Sequence, residues 1–225
     1  VIKVPIFEPY DLAIRLFQGK KKPERLGSLS STTRSSLSQT IMLWARGNLL
    51  IPDPRILWRR RARKAGQKVW KQAQEEGRPF QALVTTGPPH SVHLIGLDLK
   101  QKFGMPWLAD FRDLWREMDY LEDFLPTKRT KRRHATMEQT VVQHADKITV
   151  PTPGVGHSLR NQNDAVRHKF ALIHNGWDPG DIQTNDAPSR EDEAKKTGTA
   201  FHLGHFGSLF PTRDIPGLWT AIRRW

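Results

Sequence analysis

The chain contains no cysteine, so it has neither a disulfide nor a thiolate metal site, and it fits a reducing compartment. No apolar run approaches the roughly 20 residues needed to span a bilayer. The N-terminus lacks the pattern of a secretory signal. The phosphate-cradling G-x-x-x-x-G-K-[ST] is missing, and no G-x-G-x-x-G follows a strand, so an NTPase or a simple dehydrogenase has no support. A serine hydrolase would need a G-x-S-x-G elbow, which is absent. The 9 His are scattered. His90 and His93 share one helical face, but no carboxylate stands there at ligand spacing, so neither a metal nor another cofactor is expected. Helix-turn-helix and zinc-finger patterns are also missing, and nucleic acid is therefore not the expected partner.

What the chain does have is positive charge. Its 225 residues carry 36 Lys+Arg against 23 Asp+Glu, a formal net charge of +13. That excess favours an anionic partner: nucleic acid, an acidic membrane or a phosphorylated substrate. Mean hydropathy is −0.61 and 37% of residues are hydrophobic, polar for a globular protein. The 8 Trp and 10 Phe nevertheless argue against general disorder.

Along the chain, Val1–Ile6 reads as a strand, and the Ser-, Thr- and Lys-rich stretch from Glu8 to about Asn48 as an exposed excursion. A long helix then starts with Asp53 as cap and Pro54 at its first position. Trp58, Ala62, Ala65, Val69 and Ala73 form one apolar stripe on it. Arg59, Arg60, Arg61, Arg63, Lys64, Lys68 and Lys71 occupy the remaining surface. They form either a solvated basic face or a contact for anionic lipid headgroups or a polyanion.

Downstream, strands alternate with helices, which predicts a parallel, helix-covered sheet. Strands are expected at Ala82–Thr86, Trp107–Asp110, Asp146–Val150 and Lys169–Ile173, and helices at Ser91–Lys102 (opened by a Ser91 cap), Thr136–His144 and Gly154–Asn161. Residues 1–180 are expected to form one Rossmann-like domain and 181–200 a linker. Residues 201–225 should begin a second domain, with a strand over Phe201–Phe206. Both ends are expected to lie inside larger elements, so the chain reads as a truncated piece, inactive alone. Loops at the carboxyl ends of adjacent parallel strands meet at one crevice. Gly87–Ser91 and Asp110–Asp113 are such loops.

Five segments carry a family resemblance: Thr85-Thr86-Gly87-Pro88-Pro89-His90-Ser91, Ala109-Asp110-Phe111-Arg112-Asp113-Leu114-Trp115, Ala145-Asp146-Lys147, His174-Asn175-Gly176-Trp177-Asp178 and Phe206-Gly207-Ser208-Leu209. In this order they resemble the bacterial family-4 glycosyltransferases whose N-terminal domain bears a Pro-Pro-His-Ser loop. The resemblance runs from about Ile51 to Trp219. It implies the glycosyltransferase B-type fold, two facing Rossmann-like domains, and transfer with retention, usually without a metal. The partners implied are a nucleotide-sugar donor and a glycan or lipid-linked acceptor, with the protein cytoplasmic and peripheral at the inner face of the plasma membrane. Gly87, His90 and Ser91 fall at the acceptor side, and Asn175, Gly176, Gly207, Ser208 and Arg213 at the donor side. Where family members usually place a histidine this chain has Arg112, flanked by Asp110 and Asp113. These three are the catalytic candidates, the alternative being a local Arg–Asp pair that shapes the loop. Two other readings stay open: a non-catalytic basic module for nucleic acid or anionic membrane, and an unrelated α/β enzyme for a phosphorylated metabolite.

Overall fold

The computed structural model describes residues 1–6, 37–117, 119–160, 163–178, 180, 203–204 and 214–224. They fall into two compact units, Val1–Asn175 and Gly176–Trp225. In the second, a helix over Pro216–Arg224 is the one regular element among the described residues. Of the expected strand over Phe201–Phe206 only Leu203 and Gly204 are described, in no regular element, and its other residues lie outside.

The first unit is an α/β structure on a four-stranded parallel sheet in the order β1-β2-β3-β4. Its strands are Leu83–Gly87, Trp107–Phe111, Lys147–Val150 and Phe170–Leu172, within a residue or so of the expected runs. Between them run α3 (Ser91–Phe103), α4 (Lys128–His144) and α5 (Pro153–Arg160). One face of the sheet carries Trp107, Ala109, Phe111, Ile148 and Val150. They pack with Leu94 and Leu97 of α3, Val141 and Val142 of α4, and Leu159 of α5 into the main core. The other face is far more open, with Val84 61% exposed.

One glycine shows how closely α3 approaches the sheet, and another ends the helix. Its Gly96 lies over the sheet so tightly that a Cβ would come 2.6 Å from Thr85 Cγ2 and 2.8 Å from the Trp107 ring. Gly104, in the left-handed region at φ 70°, ends the same helix, a conformation that glycine takes without steric cost.

The Asp53 signal holds in modified form. Its carboxylate accepts from Arg55 N and caps a short 3-10 helix, Pro54–Trp58, which leads into α2 (Arg59–Glu75). Ala62 and Ala73 of the stripe are buried, and Ala62 packs with Ile95 and Leu99 of α3. Arg59 makes a two-pronged ion pair with Asp98 of α3, and Arg63 lies 4.0 Å from the same carboxylate.

Three expectations need correction and one is extended. Val1–Ile6 forms no strand: Pro5 has no N–H to give a ladder, and the Val4 carbonyl accepts from the Trp58 indole at 3.1 Å. The excursion ends early, because α1 (Leu37–Leu49) is helical and packs on a 3-10 helix at Asp119–Phe124. Helix α4 contains the expected Thr136–His144 and extends back to Lys128, where the Thr127 hydroxyl caps it by accepting from Thr130 N. Finally, Ser91 is the first residue of α3, not its cap; the capping carboxylate comes from Asp53.

Candidate functional site

The predicted loops meet at the carboxyl edge of the sheet. Gly87, the last residue of β1, pairs with Phe111 of β2, and its carbonyl accepts from Arg112 N at 2.9 Å. His90 and Arg112 therefore lie at one edge, as the crevice argument requires.

Asp110 is fixed from both sides. Register aligns Thr86, Asp110 and Thr149 across three strands. The Thr86 hydroxyl donates to Asp110 Oδ2 at 2.7 Å and the Thr149 hydroxyl to Oδ1 at 2.6 Å. Arg112 and Asp113 are exposed. Arg112 pairs with neither neighbouring aspartate; its Nη2 donates to the Pro88 carbonyl at 3.3 Å. The loop is thus shaped by backbone, not by a local Arg–Asp pair.

The Gly87–Ser91 loop is pinned from inside. His90 is buried, with Nε2 3.1 Å from the Leu114 carbonyl and its ring stacked 4.9 Å from Trp115. Burial holds its pKa down to about 4, against a smaller opposing effect of the Leu114 bond. His93 beneath it is fully buried, bonds Thr85 Oγ1 at 2.9 Å and stacks on Phe111. Burial lowers its pKa to about 3. Gly87 is obligatory there, since a Cβ would come 2.6 Å from His93 Nε2. Ser91 donates both its backbone N–H (2.8 Å) and its hydroxyl (2.9 Å) to Asp53. Of the acceptor-side candidates, His90 and Ser91 are thus engaged within the protein.

Asp53, Trp115 and His134 were not among the candidates, yet they complete this corner. With His90, the surrounding prolines, Arg46 and Phe124, they line a pocket of about 90 Å³, well below the roughly 300–1,000 Å³ of drug-sized ligand sites. The Trp115 indole donates to His134 Nδ1 at 3.1 Å, and burial lowers the His134 pKa. Glu138 was also missed. It is 2% exposed and accepts from Arg116 Nε at 2.7 Å. Burial raises its pKa to about 7 in spite of that guanidinium. Together with the Ser158–Glu117 bond, it ties the segment after β2 to α4 and α5. A lone carboxylate amid α4's basic residues gave no sign of that partner.

Asn175 and Gly176 follow β4, both exposed, and they belong to different units. Gly207, Ser208 and Arg213 lie outside the described residues. Among the described residues, no three His, Asp or Glu side chains gather closely enough to hold a metal ion, and no helix is long and apolar enough to cross a membrane. Compared with models of known protein families and with curated proteins, the chain matches none.

Proposed function

We propose that this protein is a retaining glycosyltransferase with the B-type pair of Rossmann-like domains. It takes a sugar from a nucleotide-sugar donor and passes it to a glycan or lipid-linked acceptor at the cytoplasmic face of the membrane. The observation that carries this reading is the meeting of the Gly87–Ser91 and Asp110–Asp113 loops at one sheet edge, joined by the Arg112 N–H to the Gly87 carbonyl. Those two loops also carry the most distinctive part of the family resemblance.

Transfer requires compensation for the charge that develops on the departing diphosphate. Cations and backbone N–H groups at glycine turns supply it. In this reading Gly207, Ser208 and Arg213 take that part, with Asn175 and Gly176 also serving the donor, while Arg112 and Asp113 act on the acceptor or the reacting sugar. The full-length protein, given a panel of nucleoside-diphosphate sugars with lipid-linked and oligosaccharide acceptors, should transfer one sugar with retention. Arg213→Ala should lower turnover about 100- to 1000-fold and weaken nucleoside-diphosphate binding in calorimetry, whereas Arg112→Ala should leave that binding nearly intact. The opposite pattern, or no nucleotide binding, refutes the assignment.

The basic-module reading has one observation in its favour. Arg60, Lys64, Lys68 and Lys71 form an exposed stripe on α2. Such a stripe favours polyanions but leaves the joined loops unexplained.

A further inference from the structure

The membrane contact read from the sequence rested on α2, whose apolar stripe is in fact directed into the protein, with Ala62 and Ala73 buried. A different helix has the opposite arrangement. On α1, Leu37, Ile41 and Trp44 follow one another at helical spacing and are 84%, 65% and 43% exposed. The same line ends at Asn48, which is buried. Asn48 Nδ2 donates to the Leu125 carbonyl at 3.1 Å, and its Oδ1 accepts from Thr127 N at 2.9 Å and from the Thr130 hydroxyl at 2.6 Å. The apolar line therefore runs directly onto the start of α4. Leu125, at that junction, is 49% exposed.

The first turns of α4 are almost wholly basic: Lys128, Arg129, Lys131, Arg132 and Arg133 are all exposed, and the first turn holds no acidic residue. Cations are disfavoured at a helix N-terminus, where the backbone dipole is already positive. Their presence there is no help to the helix. Lys131 is paired with Glu122, and Asp123 stands nearby in sequence, but the segment keeps an excess of positive charge. Apolar side chains with an aromatic among them, beside a cationic collar, are the two features of a surface that seats in the headgroup layer of an anionic bilayer.

We infer that the outer face of α1 and the first two turns of α4 form one docking surface for an anionic phospholipid bilayer. Trp44, Ile41 and Leu37 enter the interface, and Lys128, Arg129, Arg132 and Arg133 meet lipid phosphates. A bilayer fits better than a second copy of the chain, because two such collars would repel each other. This surface concerns where the protein sits. Its test needs no turnover, so its failure leaves the transferase reading standing.

The test is co-sedimentation with vesicles of phosphatidylcholine alone and of phosphatidylcholine mixed with phosphatidylglycerol. Binding should require the anionic lipid and fall with salt. Arg129→Gln with Arg132→Gln should weaken it about 25-fold at low salt, since each basic residue near such a surface contributes roughly fivefold. Ile41→Ser with Trp44→Ser should abolish it, while Lys64→Gln with Lys68→Gln on α2 should bind like the unchanged protein. The charged side chains and Ile41 lie largely in solvent, so unchanged melting curves are expected of the charge variants and of Ile41→Ser alone, which should also weaken binding. Trp44, 43% exposed, costs some stability when replaced. Equal binding to both vesicle types overturns the inference, as does full binding by the Ile41/Trp44 variant. A dimer in sedimentation equilibrium that this same variant dissolves also overturns it, because a second copy would then cover the stripe.

Discussion

Lowering the pH from 7 to 5 should destabilise this protein, and replacing Glu138 by Gln should enlarge the loss. His90 and His93 are held neutral by burial, with pKa values pushed down to about 4 and about 3, against about 6.5 for an unfolded histidine. Below 6.5 the unfolded chain takes up protons that the folded rings refuse. Their contribution is therefore complete above that pH and drains away beneath it, at about 1.4 kcal/mol per ring per pH unit. By pH 5 the two rings together lose about 4 kcal/mol. His134, also lowered by burial, acts in the same direction.

Glu138 has the opposite sign. Its folded pKa is raised to about 7, above its unfolded value, so it binds a proton first in the folded state and gains about 2 kcal/mol over the same interval. The unchanged protein should thus lose about 2 kcal/mol between pH 7 and 5, and Glu138→Gln about 4. Urea unfolding followed by circular dichroism at the two pH values and constant ionic strength reads this directly from the midpoints. Equal or greater stability at pH 5 refutes the burial argument for the histidines. A Gln variant with a smaller acid loss than the unchanged protein refutes the sign assigned to Glu138.

Gly96→Ala is expected to destabilise by up to about 2 kcal/mol: overpacking against Thr85 and Trp107 costs about 1–3 kcal/mol, set against a gain of about 1 kcal/mol in helix propensity. The same urea assay checks it, and a stabilised variant would mean that α3 can withdraw from the sheet. Asp53→Ala removes the acceptor for Arg55 N, Ser91 N and the Ser91 hydroxyl, and should cost about 2–3 kcal/mol. A loss under about 0.5 kcal/mol, the usual range for a surface change, would show that Asp53 does not hold the two elements together.

The sheet was legible because each strand is a short apolar run stopped by polar residues, and because a parallel strand buried on one face keeps that pattern wherever its neighbours lie. Asp53 with Pro54 marked a helix start for the same local reason. What stayed hidden depends on partners distant in sequence. The Ser- and Thr-rich composition before α1 masked Leu37, Ile41 and Trp44, and the basic run Lys128–Arg133 masked the Thr127 cap. Asp53 reached Ser91 across the fold, and Glu138 reached Arg116, with no local signature. His90 drew notice through its motif, yet what sets its environment is the aromatic stack with Trp115 and Phe111.

These anchors divide the candidate residues by how freely each can respond to a ligand. Asp110 receives one hydroxyl on each oxygen. A carboxylate has about four acceptor sites, so it can still accept from a ligand hydroxyl at the edge without moving, and little conformational entropy remains to be lost there. Gly87, His90 and Ser91 are held by internal bonds and packing, which fixes the loop backbone and so the Gly87 carbonyl that accepts from the Arg112 N–H. Arg112 itself has one long bond to a carbonyl, easily exchanged for a charge-assisted bond to an anionic or hydroxyl-rich ligand. The edge is therefore rigid in its backbone and in Asp110, and adaptable in Arg112. A site so arranged recognises shape through its fixed parts and charge through its movable one.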